Sequence, residues 1–177
     1  PIAFLLWAFA DSGPIAGAPT LTIGLSLLYI LGAGVVIASV TGYMAGLIGA
    51  SNSPVSGVGI LSILGISLIL VALFGSGGGE EMTRPLVAFA LFVTAIIFGI
   101  ATISNDNLQD LKTGQLVGAT PWRQQVALVL GVSFGAIVIP PFLDLLTSAF
   151  GFQGAPGAGP DALAAPQAAL ISALAQG

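Results

Sequence analysis

Two polar stretches interrupt an otherwise apolar chain, and the first lies at residues 49–57. It combines hydroxyl and amide side chains with helix-breaking residues: Ser51, Asn52, Ser53, Pro54, Ser56 and Gly57. Proline removes a backbone donor and glycine relaxes a helix, so this stretch frees backbone amides and carbonyls beside apolar segments. Such breaks form substrate and ion sites in membrane carriers, although the same residue types also make tight turns at a membrane interface. We expect Ser51, Asn52, Ser53, Ser56 and Gly57 to line a substrate site, with the tight turn as the alternative.

The second polar stretch, residues 104–125, is rich in Asn, Asp and Gln. Asp106 and Asp110 lie one helical turn apart, and Asp110 can pair with Lys112 or Arg123. We predict a polar loop over residues 104–125. Hydrogen bonds and ion pairs that form in one state and open in another can build a gate. The candidates for this role are Asp106, Gln109, Asp110 and Lys112, and a solvated loop is the alternative.

Asp144 stands in a segment that is otherwise apolar, just after Pro140 and Pro141. A carboxylate at membrane depth is costly and often takes part in proton transfer. We therefore expect Asp144 to be a coupling residue that accepts a proton. If the double proline ends the span, Asp144 instead lies in the headgroup layer.

The composition is strongly apolar, as expected for a protein that is embedded in a lipid bilayer. Hydrophobic residues make up 56% of the chain, charged residues 6%, and the mean hydropathy is +1.07. No charged side chain occurs between Asp11 and Glu80. A soluble fold of this composition would expose large apolar patches, whereas a lipid bilayer accepts them. The chain is predicted to be an integral, multi-pass membrane protein.

A membrane crossing takes about 20 apolar residues as a helix. The predicted fold class is all-α, a polytopic transmembrane helical bundle with complete spans at residues 21–48, 55–74, 85–103 and 126–149. The segment up to Ala10 is expected to end a further span, and the apolar residues 162–174 to form a re-entrant or interfacial element. Residues 1–177 are interpreted as a single membrane-domain fragment. Glycine pairs at helix-packing spacing occur at Gly42 and Gly46 and at Gly131 and Gly135.

Several functions are excluded by residue types. The chain has no cysteine and no histidine, which removes Cys/His metal sites and catalytic triads with a histidine base. No phosphate-binding glycine loop of the P-loop type occurs. Ten charged residues are too few for a nucleic-acid surface. We expect no enzyme activity, no cofactor, no metal site and no nucleic-acid partner.

The polar stretches resemble a known family. The sequences GLIGASNSPVSG at residues 46–57 and SNDNLQDLKTG at residues 104–114, followed by Gly-Ala-Thr-Pro at residues 118–121 and APQA at residues 165–168, are similar to those of the oligopeptide transporter family. The resemblance is to its prokaryotic branch, which is related to the yellow-stripe-like transporters.

This resemblance implies a secondary transporter with more spans than these, in the cytoplasmic membrane of a prokaryote. Small peptides or metal-chelate compounds would be its substrates, with protons as the coupling ion and alternating access as the mechanism. The partners would be lipid and the remaining helices of the same transporter, and assembly as a homo-oligomer is left open. A channel-like pore and a structural membrane subunit are the alternatives. The structural subunit predicts that the break at residues 51–57 is a turn whose polar groups are satisfied internally.

Overall fold

The computed structural model describes residues 2–10, 13–75, 79–155 and 157–176. This part of the chain folds into six α-helices: α1 (Ile2–Ala10), α2 (Pro19–Ile48), α3 (Val55–Phe74), α4 (Glu80–Val117), α5 (Pro121–Ala149) and α6 (Pro166–Gln176). Short 3-10 turns occupy Gly13–Gly17 and Ala50–Asn52. Helices α2 to α5 are long and apolar enough to cross a membrane. The predicted all-α polytopic bundle is confirmed.

Helices α2, α3 and α4 form the central unit, with α4 packed against both others. The core is aliphatic and aromatic, with Ile30 from α2, Ile63 and Ile66 from α3, and Phe89 and Val93 from α4. Each of these residues is 2% exposed or less. The buried face of α2 carries several small residues, among them Thr22, Ser26, Gly34 and Thr41. Small side chains let the helix backbones approach closely, as is common where lipid provides no hydrophobic driving force.

Glycines mark the closest contacts in this unit. A Cβ added to Gly42 would lie 2.9 Å from Ser104 Oγ on α4. A Cβ on Gly59 would run into the Phe98 ring, and one on Gly65 into the Tyr29 hydroxyl. The packing expected at Gly42 is therefore present, whereas Gly46 has no such neighbour within 4 Å.

Helix α4 is much longer than the span predicted at residues 85–103. It has 38 residues, about 57 Å of helix, so the polar residues 104–117 continue the helix beyond a hydrocarbon layer of about 30 Å. The structure does not contain the polar loop predicted over residues 104–125, because the connection to α5 comprises residues 118–120 alone. Helix α4 ends at Gly118, which adopts a φ of 72°, while the Ala119 amide donates to the Gly114 carbonyl at 2.8 Å. A glycine in the left-handed region is a common helix C-terminus.

Helix α5 continues through Pro140 and Pro141 to Ala149, so the double proline does not end it. The predicted span 126–149 thus lies within one helix that also includes residues 121–125. Contacts of α5 are with α4, and none of its residues is buried.

The two short helices pack on the central unit. Leu6 of α1 is fully buried, and α6 packs against α3 and α4 through Ile171, Leu174 and Ala175. The helical part of the expected element at residues 162–174 begins at Pro166.

We predict that Gly59→Ala destabilises the full-length protein by about 1–3 kcal/mol, because the added methyl group must displace the Phe98 ring. The measurement is thermal unfolding in detergent. Gly46→Ala is the control, since no atom of another helix lies within 4 Å of its new Cβ and alanine favours a helix. Equal melting temperatures for the two variants would contradict this account of the α3–α4 contact.

Candidate functional site

The two polar stretches meet at one end of the central unit. The backbone amide of Ala50 donates to Gln109 Oε1 at 3.1 Å, and Asn105 Nδ2 donates to the Ala50 carbonyl at 3.5 Å. Both backbone groups of a residue in the α2–α3 turn are thus held by side chains of α4. We call the turn at residues 49–54 together with Ser104, Asn105 and Gln109 the polar junction.

The turn forms because the sequence ends one helix and starts another within a few residues. Gly49 adopts a φ of 88°, which ends α2, and Pro54 precedes the first residue of α3. Two turn side chains bond back to α2: Asn52 Nδ2 donates to the Ile48 carbonyl at 3.3 Å, and Ser53 Oγ to the Thr41 carbonyl at 3.3 Å. The backbone groups freed by the break are partly satisfied inside the protein.

Close contact between α2 and α4 next to the polar junction fixes its geometry. Ser104 Oγ donates to the Ala38 carbonyl at 2.8 Å, and Thr41 Oγ1 contacts the Ala101 carbonyl at 3.4 Å. These are side-chain bonds to backbone across two helices. They set the register of α4 and thereby place Asn105 and Gln109 opposite Ala50.

The predicted substrate-binding residues lie on the open side of the turn. Ser51, Asn52, Ser56 and Gly57 are exposed, and Ser53 is half-buried. Ser56 Oγ accepts a hydrogen bond of 3.0 Å from Gln167 Nε2 of α6. These polar groups therefore form a surface at the N-terminal end of α3, next to the N-terminal end of α6.

The predicted gate residues lie on the last turns of α4, where Asp106, Gln109, Asp110 and Lys112 are all exposed. Gln109 belongs to the polar junction, and Asp106 Oδ1 accepts a bond of 3.3 Å from Asn105 Nδ2. Lys112 Nζ contacts Gln115 Oε1 at 3.1 Å. The ion pair found within the described residues joins Glu80 and Arg84, so Asp110 is not paired with Lys112 or Arg123 in this state.

Asn105 is the main site residue that sequence reasoning did not assign. It is 5% exposed, and its Oδ1 has no hydrogen-bond partner. The available signal was periodicity: Asn105 continues the buried stripe of α4 formed by Thr94, Ile97 and Ala101. Treating residues 104–125 as a loop concealed that stripe.

Asp144 lies apart from the polar junction. It is exposed on α5, about 28 Å along the helix axis from Gln125. Gln125 Nε2 donates to Asn107 Oδ1 of α4 at 2.7 Å and so marks the level of the junction on α5. Among the described residues, no group of three or more Asp or Glu side chains could hold a metal ion.

A bundle of membrane-length helices with a polar break between two of them is typical of secondary transporters. The family described as OPT oligopeptide transporter protein matches residues 3–177, and the chain belongs to this family. The resemblance seen in the polar stretches is thereby confirmed.

Similar proteins support this assignment. A protein of Haemophilus influenzae, assigned by name to the oligopeptide transporters, is 52% identical over 151 residues, which are 81% of this chain and 24% of the relative. A metal-nicotianamine transporter by name, YSL10 of Oryza sativa subsp. japonica, is 29% identical over 87 residues, 49% of this chain and 13% of its own length. YSL13 of the same plant is 29% identical over 105 residues, which are 59% of this chain and 14% of the relative. The chain spans about a quarter of the length of the Haemophilus relative. No solved structure shows significant similarity to it.

We predict that Gln109→Ala loosens the α2–α3 turn, because the Ala50 amide loses its acceptor. A hydrogen bond contributes about 1 kcal/mol, so hydrogen exchange in the peptide covering residues 49–54 should become about fivefold faster. The measurement is hydrogen–deuterium exchange of the full-length protein in nanodiscs. Gln115→Ala is the control, since Gln115 contacts the exposed Lys112. Unchanged exchange in Gln109→Ala would remove the structural role given to this bond.

Proposed function

We propose that the full-length protein containing this segment is a proton-coupled symporter of small peptides or metal-chelate compounds. Alternating access would move the substrate across the cytoplasmic membrane. Membership of the transporter family supports the class of function. The names of the similar proteins, which refer to oligopeptides and to metal-nicotianamine complexes, support these two substrate classes.

The observation that carries the proposal is the pair of bonds from α4 to Ala50. They connect the candidate substrate surface on the turn with the candidate gate on α4. A rearrangement of the turn relative to the end of α4 would break these bonds, and a substrate group bound at the turn would replace them. Substrate binding and gate movement would then be coupled through the same backbone groups.

In this mechanism the substrate contacts the polar side chains of the turn and of the first turn of α3, namely Ser51, Asn52, Ser53 and Ser56, together with Gly57. Asp106, Gln109, Asp110 and Lys112 form the gate, and ion pairs between the charged members would form in another state of the transport cycle. The positive-inside rule favours the cytoplasmic side for this end of the bundle, because it carries the two basic residues Lys112 and Arg123.

A structural membrane subunit is the second candidate, and one observation favours it. The turn satisfies several of its own groups: both backbone groups of Ala50, and the side chains of Asn52 and Ser53. A turn serving only as a connection would show the same bonds. Transport measurements separate the two candidates, because a structural role requires no substrate contact at Asn52.

We expect proteoliposomes with the full-length protein to take up labelled tripeptides or iron–nicotianamine in a saturable manner, and an inward proton gradient to drive accumulation. Asn52→Ala should reduce uptake by about two- to tenfold, the effect of one lost hydrogen bond to the substrate. Ser148→Ala, an exposed serine whose hydroxyl bonds Leu145 on its own helix, is the matched control. Uptake that does not saturate would support a channel. No uptake of either substrate class by folded protein, or full uptake by Asn52→Ala, would support the structural role of the turn.

The coupling role of Asp144 gives a separate prediction. Asp144→Asn keeps the shape of the side chain but cannot release a proton, so accumulation driven by the gradient should be lost while exchange of internal for external substrate persists. Uptake and exchange are measured in the same vesicles. Asp161→Asn, an exposed carboxylate in the segment between α5 and α6, serves as the control. Accumulation that survives in Asp144→Asn would exclude this residue as the proton acceptor.

A further inference from the structure

Helix α5 has an open groove along the face that meets α4 near its N-terminus. The groove has a volume of about 770 Å³. Its lining includes Gln124, Leu128, Gly131, Gly135 and Ile139 of α5 together with Asp110 of α4. The groove is continuous with the α4–α5 contact, where Gly114 packs directly against Gln124.

The glycines of this groove differ from those of the central unit. Gly42, Gly59 and Gly65 each have a side chain of another helix where a Cβ would stand. Gly131 has no such atom within 4 Å, and Gly135 has only Ile139 of its own helix. Transmembrane helices associate through rows of small residues, so this face of α5 is suited to a helix contact that the described residues do not supply.

The end of the groove near the N-terminus of α5 is polar, which restricts the side chains that an occupant can place there. Gln124 Oε1 is buried and has no hydrogen-bond partner. The Gln124 amide lies against Gly114 of α4, and the exposed Asp110 carboxylate lines the groove at the same level. The occupant of the groove should therefore bring a hydrogen-bond donor to this level, where the Asp110 carboxylate can accept it.

We propose that this groove is the docking face for a further apolar transmembrane helix of the same polypeptide, outside residues 1–177. This helix has small or aliphatic residues facing Gly131 and Gly135, and a donor side chain near Gln124. The matching region makes up 24% of the length of the Haemophilus relative, so the rest of such a chain is long enough to supply helices. No residue of α5 is buried, so most of the surface of this helix is left uncovered by the described residues. The inference does not depend on the proposed substrate or coupling ion.

The test places a photoreactive amino acid in the full-length protein at Leu128 or at Leu130. Leu128 lines the groove, whereas Leu130 points away from it and is 66% exposed. The two positions have the same native side chain and adjacent depth, so they differ mainly in the face they occupy. After irradiation in membranes, the partner peptide is identified by mass spectrometry.

We expect an adduct within one chain at Leu128, joined to a peptide outside residues 1–177, and a several-fold lower yield of that adduct at Leu130. Gly135→Leu should fill the groove and reduce the Leu128 adduct several-fold. Ser133→Leu, on the opposite face of α5, should leave it unchanged. A cross-link confined to α4, a cross-linked dimer, an adduct with lipid alone, or no adduct at Leu128 would each overturn the proposal.

Discussion

The close approach of α2 to α4 is the constraint on which the remaining structure depends. It is possible because Gly42 offers no side chain at the point where Ser104 and Leu108 of α4 come against α2. At this distance Ser104 reaches the Ala38 carbonyl, and this bond fixes how far α4 extends past the end of α2. The next buried residue on that face of α4 is Asn105, which thereby reaches the Ala50 carbonyl. A packing contact thus determines the position of a polar site.

The same contact explains how a helix break is tolerated at the edge of the membrane. An unsatisfied backbone group in lipid costs several kcal/mol, so a turn there needs partners or water. The Ala50 amide obtains its acceptor from α4, and the Ala50 carbonyl accepts from Asn105 of α4 as well as from the Ser53 amide of the turn. Helix α4 continues beyond the apolar layer and so can supply amide side chains at that level. Without the extension of α4 past residue 103, the Ala50 amide would lose its acceptor Gln109, and the Ala50 carbonyl would keep the Ser53 amide but lose Asn105. The length of α4 and the sequence of the turn are therefore physically linked.

The sequence was informative where apolar pattern and helix breakers agreed. The predicted span 55–74 has the bounds of α3, since Pro54 and Gly75 flank an uninterrupted apolar run. The polar stretch after residue 103 was misassigned because its Asn and Asp residues favour turns in isolation. Tertiary contact decides otherwise: Leu108 packs at Gly42, and Asn105 and Gln109 bond the turn, so helical geometry persists to Val117. The contact between the two polar stretches could not be predicted, because it depends on how α4 is aligned along α2, and no local sequence pattern specifies that alignment.

The bonds at Ala50 also limit what kind of movement can operate a gate in this bundle. Amide-to-backbone bonds of this type contribute about 1 kcal/mol each, small enough to exchange for bonds to a substrate. The packing of α2 against α4 at Gly42 is harder to break, because moving α4 away from Gly42 would also separate the buried faces along both helices. A local change at the turn is therefore less costly than separating α2 from α4. This difference favours a mechanism in which α2, α3 and α4 move as one body while the turn and the end of α4 rearrange within it.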